Sequence, residues 1–370
     1  MKKIVLVVTL LAVATPAFAQ LGGALRRAQQ AKETKDKFDD LNITEEEERV
    51  IGEGVSARVR ARFGVVQDPA VHKYVSLVGT TLGQLSERPK LAWTFIVLDT
   101  DGVNAFASPG GIVHITRGAL ALCKSEAELA AVLGHEIGHV AHKHTVNAIQ
   151  KNKAVSLGTE QALSSRGPFL DLMANKAYEM VLENKFDRGD EMDSDKVSVT
   201  LAEKAGYAPG RLADFLTRLD ERNKDQPESN GLFASHPDMK ARIDAVKKLA
   251  GTKTGATVDA RWASNIKYVP TELTKIATVE EGAAGLAGST EPAKADEKTA
   301  AAKKEEPKKG FGLGSLTKSA GPERQTGQVA ASGGARGVGP DRLARGGSNP
   351  NPVKVTVTDA DVAAFKKGIV

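Results

Sequence analysis

The chain has 370 residues, a length that fits two domains of ordinary size, and 41% of them are apolar, enough for a real core. The formal net charge is +5, and residues 286–350 carry most of it, with eleven Lys or Arg against seven Asp or Glu. This excess lies in a Gly/Ala/Pro-rich tail, and no aromatic residues interleave with basic clusters. Composition therefore excludes a nucleic-acid platform.

Residues 1–19 have the pattern of a secretory signal peptide. Lys2 and Lys3 precede an apolar run over 4–13, and Ala17-Phe18-Ala19 places small residues where a signal peptidase reads them. The apolar run is too short to span a bilayer, and no later stretch is long and apolar enough. We expect cleavage after Ala19 and a soluble, periplasmic mature protein without a stable membrane span.

Helix and strand signals follow in an order typical of an α+β domain. After a polar, helix-prone lead-in over 20–43, Thr44 and Glu47 form a capping box that predicts a helix to about residue 61. A second helix is predicted over 71–85. Three strands come next, joined in part by the turn Ser108-Pro109-Gly110-Gly111, and we expect them to form a small antiparallel sheet over 92–98, 103–107 and 112–116.

A second capping box, Ser125 with Glu128, predicts a helix that runs to about residue 151. The single cysteine, Cys123, lies in an Ala/Leu-rich run that favours a small buried side chain. Gly and Ser over 152–168 predict a loop, which is compatible with a lid or with a plain flexible connection. Further helices are predicted over 169–184, 191–205, 209–222 and 237–250.

The composition changes after the last of these helices. We expect an extension over 251–285 and then a disordered, low-complexity linker over 286–350, because Ala, Lys, Glu, Pro and Gly cannot bury enough apolar surface to offset ordering entropy. The final segment, 351–370, combines a strand-like alternation over 353–358 with a short helical pattern. It is compatible with docking on the domain itself or on an envelope partner.

The strongest chemical signal is His135-Glu136-Ile137-Gly138-His139, the HExxH pattern, on the helix that Ser125 opens. Histidines four residues apart lie on one face of a helix, close enough to share one cation. Glu136 beside them can take a proton from an activated water. This spacing indicates a zinc site with a catalytic carboxylate.

Zinc needs a third protein ligand, and the best candidates are Glu191 and Asp195. They too are four residues apart on a predicted helix. One carboxylate can ligate the metal, while the other can accept the free ring N–H of a ligand histidine.

Two more histidines, His142 and His144, follow the motif by one turn. A second metal site there is conceivable, but we expect solvated histidines at a helix end.

These features together resemble the HtpX/BepA-type zinc metallopeptidases, family forty-eight of the metallopeptidase class, and in particular periplasmic BepA/LoiP-like members without a helical-repeat domain. The resemblance covers about residues 45–250. It rests on four groups of residues in the family's order: Asn104-Ala105-Phe106-Ala107 with Pro109-Gly110-Gly111, Glu128 to His139, Arg188 with Glu191 and Asp195, and Ser235-His236-Pro237 with Arg242.

The resemblance implies a mainly helical, zincin-like metallopeptidase domain over 44–250 with one Zn²⁺ per chain. It implies His135, His139 and Glu191 as zinc ligands, Glu136 as general base and Asp195 as the partner that orients a ligand histidine. The usual Ala before this aspartate is Ser194 here, a small change.

The loop that carries His236 faces the metal in the family. His236 is therefore a candidate for stabilising the oxyanion, or for filling the open coordination position and keeping the enzyme latent. A surface histidine that stabilises the turn before Pro237 is the plain structural alternative. We expect the strand over 112–116 to edge the cleft, so that Ile112, Val113, His114 and nearby Asn104 bind substrate by strand addition.

The sequence thus predicts a metalloendopeptidase that acts on unfolded or misassembled polypeptides of the cell envelope. Two alternatives stay open: a chaperone-like protein that keeps the fold but rarely cuts, and a secreted peptidase for nutrition or attack. Intact Glu136 argues against the first, and the tail and absence of disulfides argue weakly against the second.

Overall fold

The computed structural model describes residues 43–156, 166–183, 186–225, 230–279 and 339–369. The predicted signal peptide and lead-in, the centre of the predicted loop over 152–168, and most of the predicted linker lie outside the described residues. The chain divides into two compact units, Met1–Glu48 and Arg49–Val370. The sheet, the core and the candidate site belong to the second unit.

Within the described residues the domain is mainly helical with one small sheet, which confirms the predicted α+β class. The strands are β1 (Thr94–Leu98), β2 (Ala105–Ser108) and β3 (Ile112–Thr116). The first helices in chain order are α1 (Glu45–Phe63), α2 (Pro69–Gly83), α3 (Arg117–Leu122), α4 (Glu126–Ala141), α5 (His144–Ser156), α6 (Arg166–Glu183), α7 (Arg188–Ala205) and α8 (Arg211–Asn223). They are followed by α9 (Gly231–Ser235), α10 (Met239–Ala250), α11 (Asp259–Asn265), a 3₁₀ turn (Leu273–Lys275), α12 (Pro340–Leu343) and α13 (Asp359–Lys366).

Side-chain caps fix the first turns of the helices where the sequence predicted them. The Glu47 N–H donates to Thr44 Oγ1 at 3.2 Å, and the Thr44 N–H donates to Glu47 Oε2 at 3.0 Å, so the first capping box is confirmed. At α4, the Glu128 N–H donates to Ser125 Oγ at 3.2 Å. The Glu128 carboxylate, however, accepts the Lys124 N–H at 2.7 Å rather than that of Ser125.

The sheet is mixed, so the predicted all-antiparallel pairing is wrong for one of its two ladders. The strand order is β1-β3-β2; β3 runs parallel to β1 and antiparallel to β2. The chain leaves β1, forms β2 at the far side and returns through a tight turn. Gly110 and Gly111 adopt φ of 72° and 91° in this turn, which inserts β3 between the other two strands.

Other predictions also differ from the structure. The helix expected to run to residue 151 breaks after Ala141 and resumes at His144, with Lys143 at φ 56°. No Gly or Pro signals this break. The predicted disorder over 286–350 is wrong for residues 339–350, which contain α12, and the strand-like pattern over 353–358 forms no strand.

The core centres on α4, whose apolar residues Leu129, Leu133 and Ile137 are fully buried. The helix is covered on all sides, and Cys123 just before it is buried as predicted. Among the described residues, no helix combines the length and the apolar character needed to cross a membrane. A helix buried all round can carry polar groups only where they are partnered, so its histidines need an explanation.

Candidate metal centre

Close packing of α4 against α7 brings the two predicted ligand helices together. A Cβ atom at Gly138 would lie 2.9 Å from Ser194 Cα, and one at Gly134 would lie 3.2 Å from Ser198 Cα. The Ser198 hydroxyl donates to the Ala131 carbonyl at 2.7 Å across the same contact. Small residues on both helices therefore allow the backbones to approach until Glu191 faces the histidines of α4.

Four buried side chains converge on one point: His135, His139, Glu191 and His236. One ligand atom from each lies within 4.8 Å of all the others. The two Nε2 atoms of His135 and His139 are 3.1 Å apart, and His139 Nε2 lies 3.3 Å from Glu191 Oε1. His236 Nδ1 lies 2.8 Å from the same carboxylate oxygen. Imidazole nitrogens and a carboxylate oxygen form a donor set that zinc prefers.

Asp195 and Arg242 form a charged layer behind His135. Asp195 Oδ1 lies 2.8 Å from His135 Nδ1, so the aspartate can hold the tautomer that leaves Nε2 free for a metal. Arg242 donates to both oxygens of Asp195, at 2.7 and 2.9 Å, and lies 2.8 Å from Glu191 Oε2. Burial opposes ionisation of Asp195, but Arg242 and His135 outweigh it and lower its pKa to about 2.

The same layer controls Glu191. Burial by itself would raise the pKa of this carboxyl, but the positive charges of His236 and Arg242 hold it well below its ordinary value. Glu191 is therefore an anion in the folded protein, the form that binds a metal.

His139 has its own outer partner, His144, whose ring lies behind it. The two Nδ1 atoms are 3.0 Å apart. If His139 offers Nε2 to a metal, its Nδ1 carries the proton and donates to His144 Nδ1. The Nε2–H of His144 then faces Asp190, whose Oδ1 lies 3.6 Å away.

The expectation that His142 and His144 are solvated is wrong for His144, which is 5% exposed. The helix break after Ala141 turns it inward, and no Gly or Pro marks that break in the sequence. His142, His144 and Asp193 could also form a metal-binding group by distance.

Glu136 lies beside the ligand atoms and has no hydrogen-bond partner for either carboxylate oxygen among the described residues. It is 1% exposed, and burial raises the pKa of its carboxyl above the ordinary value against the lowering effect of His236 and His135. Apolar side chains line a small cavity beside it: Val132, Leu212, Phe215, Leu216 and Leu232. A buried carboxylate without a partner is costly unless it has a chemical use.

The predicted substrate strand is placed differently. β3 is the central strand, so both of its backbone edges are already paired and a peptide cannot add to it. Ile112, Val113 and His114 are fully buried, and His114 Nε2 lies 2.9 Å from the Ser56 hydroxyl. Strand addition at β3 is therefore wrong. Asn104, at the start of β2, accepts the Ala105 N–H at 2.9 Å, and its role toward substrate stays a prediction.

Paired helix-borne histidines, a carboxylate from a second helix and a glutamate next to the first histidine are the parts of a metallopeptidase domain of the HExxH type. Residues 69–250 match peptidase family M48, so this part of the chain is an M48 peptidase domain.

Curated relatives agree with this assignment. A putative beta-barrel assembly-enhancing protease of Vibrio cholerae is 25% identical over 210 residues, which cover 54% of this chain and 43% of that protein. The mitochondrial metalloendopeptidase OMA1 of Schizosaccharomyces pombe is 28% identical over 218 residues, 57% of this chain and 63% of that protein. Metalloprotease LoiP of Escherichia coli is 28% identical over 152 residues, 39% and 58% respectively. The chain thus spans less than two thirds of the length of each.

Proposed function

We propose that the chain is a zinc metalloendopeptidase that hydrolyses peptide bonds of unfolded or misassembled envelope proteins. The convergence of three histidines and a glutamate in a buried cluster, with Glu136 alongside and its carboxylate free of hydrogen bonds among the described residues, carries this proposal. The assignment of the M48 domain supports it, as do the names of the relatives, which are proteases.

Zinc fits the donors that the chain offers. His135, His139 and Glu191 would hold one ion, with Asp195 fixing the ring of His135. When bound, zinc supplies a Lewis acid that polarises the scissile carbonyl and activates a water molecule.

The chain's own residues move the protons. Glu136 takes the proton of the attacking water and later passes it to the leaving amine. Its pKa, raised by burial, suits a base that must also act as an acid near neutral pH. Arg242 keeps Glu191 and Asp195 ionised during this cycle, since it pairs with both.

For His236 the geometry favours latency over oxyanion stabilisation. Its Nδ1 is directed at Glu191 and lies 3.2 Å from His135 Nε2, in the position of a fourth ligand. It is 2% exposed. We propose that the segment bearing His236 must move before a peptide can reach the site.

A buried site that has to open suits extended substrates, because a folded chain cannot thread past its cover. The predicted signal peptide and the beta-barrel assembly-enhancing protease among the relatives support a periplasmic location. We propose unfolded or misassembled envelope polypeptides as the substrate class on this basis.

The test measures zinc content and casein cleavage by the mature chain from residue 20, with Glu136→Gln as the matched variant. We expect about one zinc per chain in both proteins and cleavage only by the wild type. Failure to bind zinc at neutral pH would refute the proposal. His236→Ala separates its two roles: a latent site gains activity, whereas loss of an oxyanion donor lowers kcat about 100-fold.

A further inference from the structure

Residues 339–347, a short piece of the C-terminal region, pack against the domain beside α9, the helix that precedes His236. We term these residues the strap. Its position is fixed by main-chain hydrogen bonds to the segment after the 3₁₀ turn. The Val279 N–H donates to the Leu343 carbonyl at 2.9 Å, and the Arg345 N–H donates to the Ala277 carbonyl at 2.7 Å. The strap is therefore held in one register against the body of the domain.

The key side chain of the strap is Asp341, which is 2% exposed and accepts four hydrogen bonds. The Val103 N–H donates to its Oδ1 at 3.0 Å, and the Asn230 amide donates to its Oδ2 at 3.0 Å. Arg222 donates to both oxygens, at 3.0 and 2.5 Å. In return, the Asp341 N–H donates to Asn230 Oδ1 at 2.7 Å, so these two residues are joined in both directions.

Three glycines allow the close contact between Asp341 and Asn230, which we term the joint. A Cβ atom at Gly339 would lie 2.4 Å from the Asn230 side chain, and one at Gly231 would lie 2.7 Å from Asp341 Cβ. At Gly102, a Cβ atom would lie 2.6 Å from the Asp341 carbonyl oxygen. The strap can therefore pack this closely on the domain only because glycines lack side chains on both sides of the contact.

The joint lies at the start of the segment that carries His236. Asn230 directly precedes α9, and α9 ends at Ser235, so five residues separate the joint from the histidine. The Leu232 N–H donates to the Val103 carbonyl at 3.1 Å, and the His236 N–H donates to the Leu232 carbonyl at 3.0 Å. The Asp341 carboxylate therefore binds both Val103 and Asn230, and these two residues hold the first turn of α9 in place.

We infer that Asp341 is a positioning residue for His236: the strap holds α9 in place and so keeps the histidine over the ligand cluster. This inference rests on the proposed function for its consequence, regulated access to the site, but not for its structural part. A buried carboxylate with an arginine partner contributes little net stability, and its attested use is to fix one arrangement. Release of the strap would free α9 and open the site.

The experiment uses the full mature chain and Asp341→Asn, which keeps the side-chain shape but places an amide against the hydrogen-bond donors. The matched control is Asp361→Asn, which removes the 2.8 Å contact of α13 with Lys73 far from α9. Amide hydrogen exchange is measured in metal-free protein without substrate. We expect exchange of the 231–236 amides to rise about 10- to 100-fold in Asp341→Asn, because charge-assisted hydrogen bonds that close the segment are lost.

Exchange across α4 should not change in Asp341→Asn, and Asp361→Asn should leave 231–236 protected. The inference is overturned if only the strap itself exchanges faster while 231–236 stays protected. If Asp341→Asn does not fold, Asn230→Ala replaces it, since that change breaks the joint but leaves the Arg222–Asp341 pair intact; the same exchange result is expected.

Casein cleavage adds the functional readout. We expect Asp341→Asn to cut several-fold faster than wild type, approaching His236→Ala. Faster exchange with unchanged cleavage in a zinc-loaded, active enzyme would refute the regulatory part. Faster exchange in a chain that neither binds zinc nor cuts would leave the positioning inference intact and refute the proposed function instead.

Discussion

Arg242 offers a quantitative test of the charged layer behind the site. It is 2% exposed and is the counterion of both Glu191 and Asp195, at 2.8 and 2.7 Å. Arg242→Met keeps the apolar stem but leaves two buried carboxylates without their partner. Breaking a buried pair in this way costs about 3–5 kcal/mol. At a urea m-value of about 2.5 kcal/mol per M, the midpoint of metal-free protein should fall by about 1–2 M.

Zinc should reduce this deficit, because the ion supplies a positive charge next to Glu191 and stabilises the folded state by binding it. The matched control is Arg211→Ala, whose 2.7 Å pair with Asp214 is solvent-exposed and should contribute less than about 1 kcal/mol. Urea unfolding followed by circular dichroism, with and without zinc, gives the loss of stability relative to wild type for each of the two variants under both conditions. A loss below about 1 kcal/mol for metal-free Arg242→Met would contradict the role of Arg242 as counterion of the two buried carboxylates.

Three further predictions, two of them with a matched control substitution, test other parts of the structure. His144→Ala should weaken zinc binding about 10- to 100-fold in competition titrations, because the outer partner of a ligand ring is lost, whereas His142→Ala should leave the affinity within about threefold. Gly138→Ala should destabilise the protein by about 1–3 kcal/mol in urea unfolding, and Gly134→Ala by less, because only the first places a Cβ atom under 3.0 Å from the facing helix. Burial, with Arg60 adding to it, lowers the pKa of His114 from 6.5 to about 3, so the unfolded chain takes up the proton first. Stability should therefore fall below about pH 6.5 by up to about 1.4 kcal/mol per pH unit, and His114→Gln should remove this component from urea titrations of metal-free protein between pH 7 and 5. An unchanged pH dependence in that variant would contradict the assignment, as would equal zinc affinities for the two histidine variants or equal costs for the two glycine changes.

The sequence was sufficient for the helices that carry the chemistry, because their signals are local. Ser125 marks the start of α4, and the four-residue spacing within α4 and α7 predicts which side chains share a face. The two helices meet through Gly138 and Ser194. This contact is part of the tertiary structure, and neither residue predicts it from the sequence.

Other features depend on contacts between distant residues and could not be predicted. The inward turn of His144 follows from a helix break that no Gly or Pro marks, so it was expected to be solvated. The order of the strands depends on where the chain returns after β2, which periodicity does not reveal. The strap has the Gly-rich composition of a linker, and only its contact with Asn230 and Val103 shows that Asp341 is buried.

We expect one zinc ion to be held by His135, His139 and Glu191, with His236 covering it at rest. X-ray absorption at the zinc edge of the purified chain tests this directly, with His236→Ala as the partner sample. We predict a nearest shell of nitrogen and oxygen at about 2.0–2.2 Å, with three imidazoles in the resting protein and two in the variant. Sulfur ligands, substoichiometric zinc or an identical imidazole count in both proteins would contradict the claim.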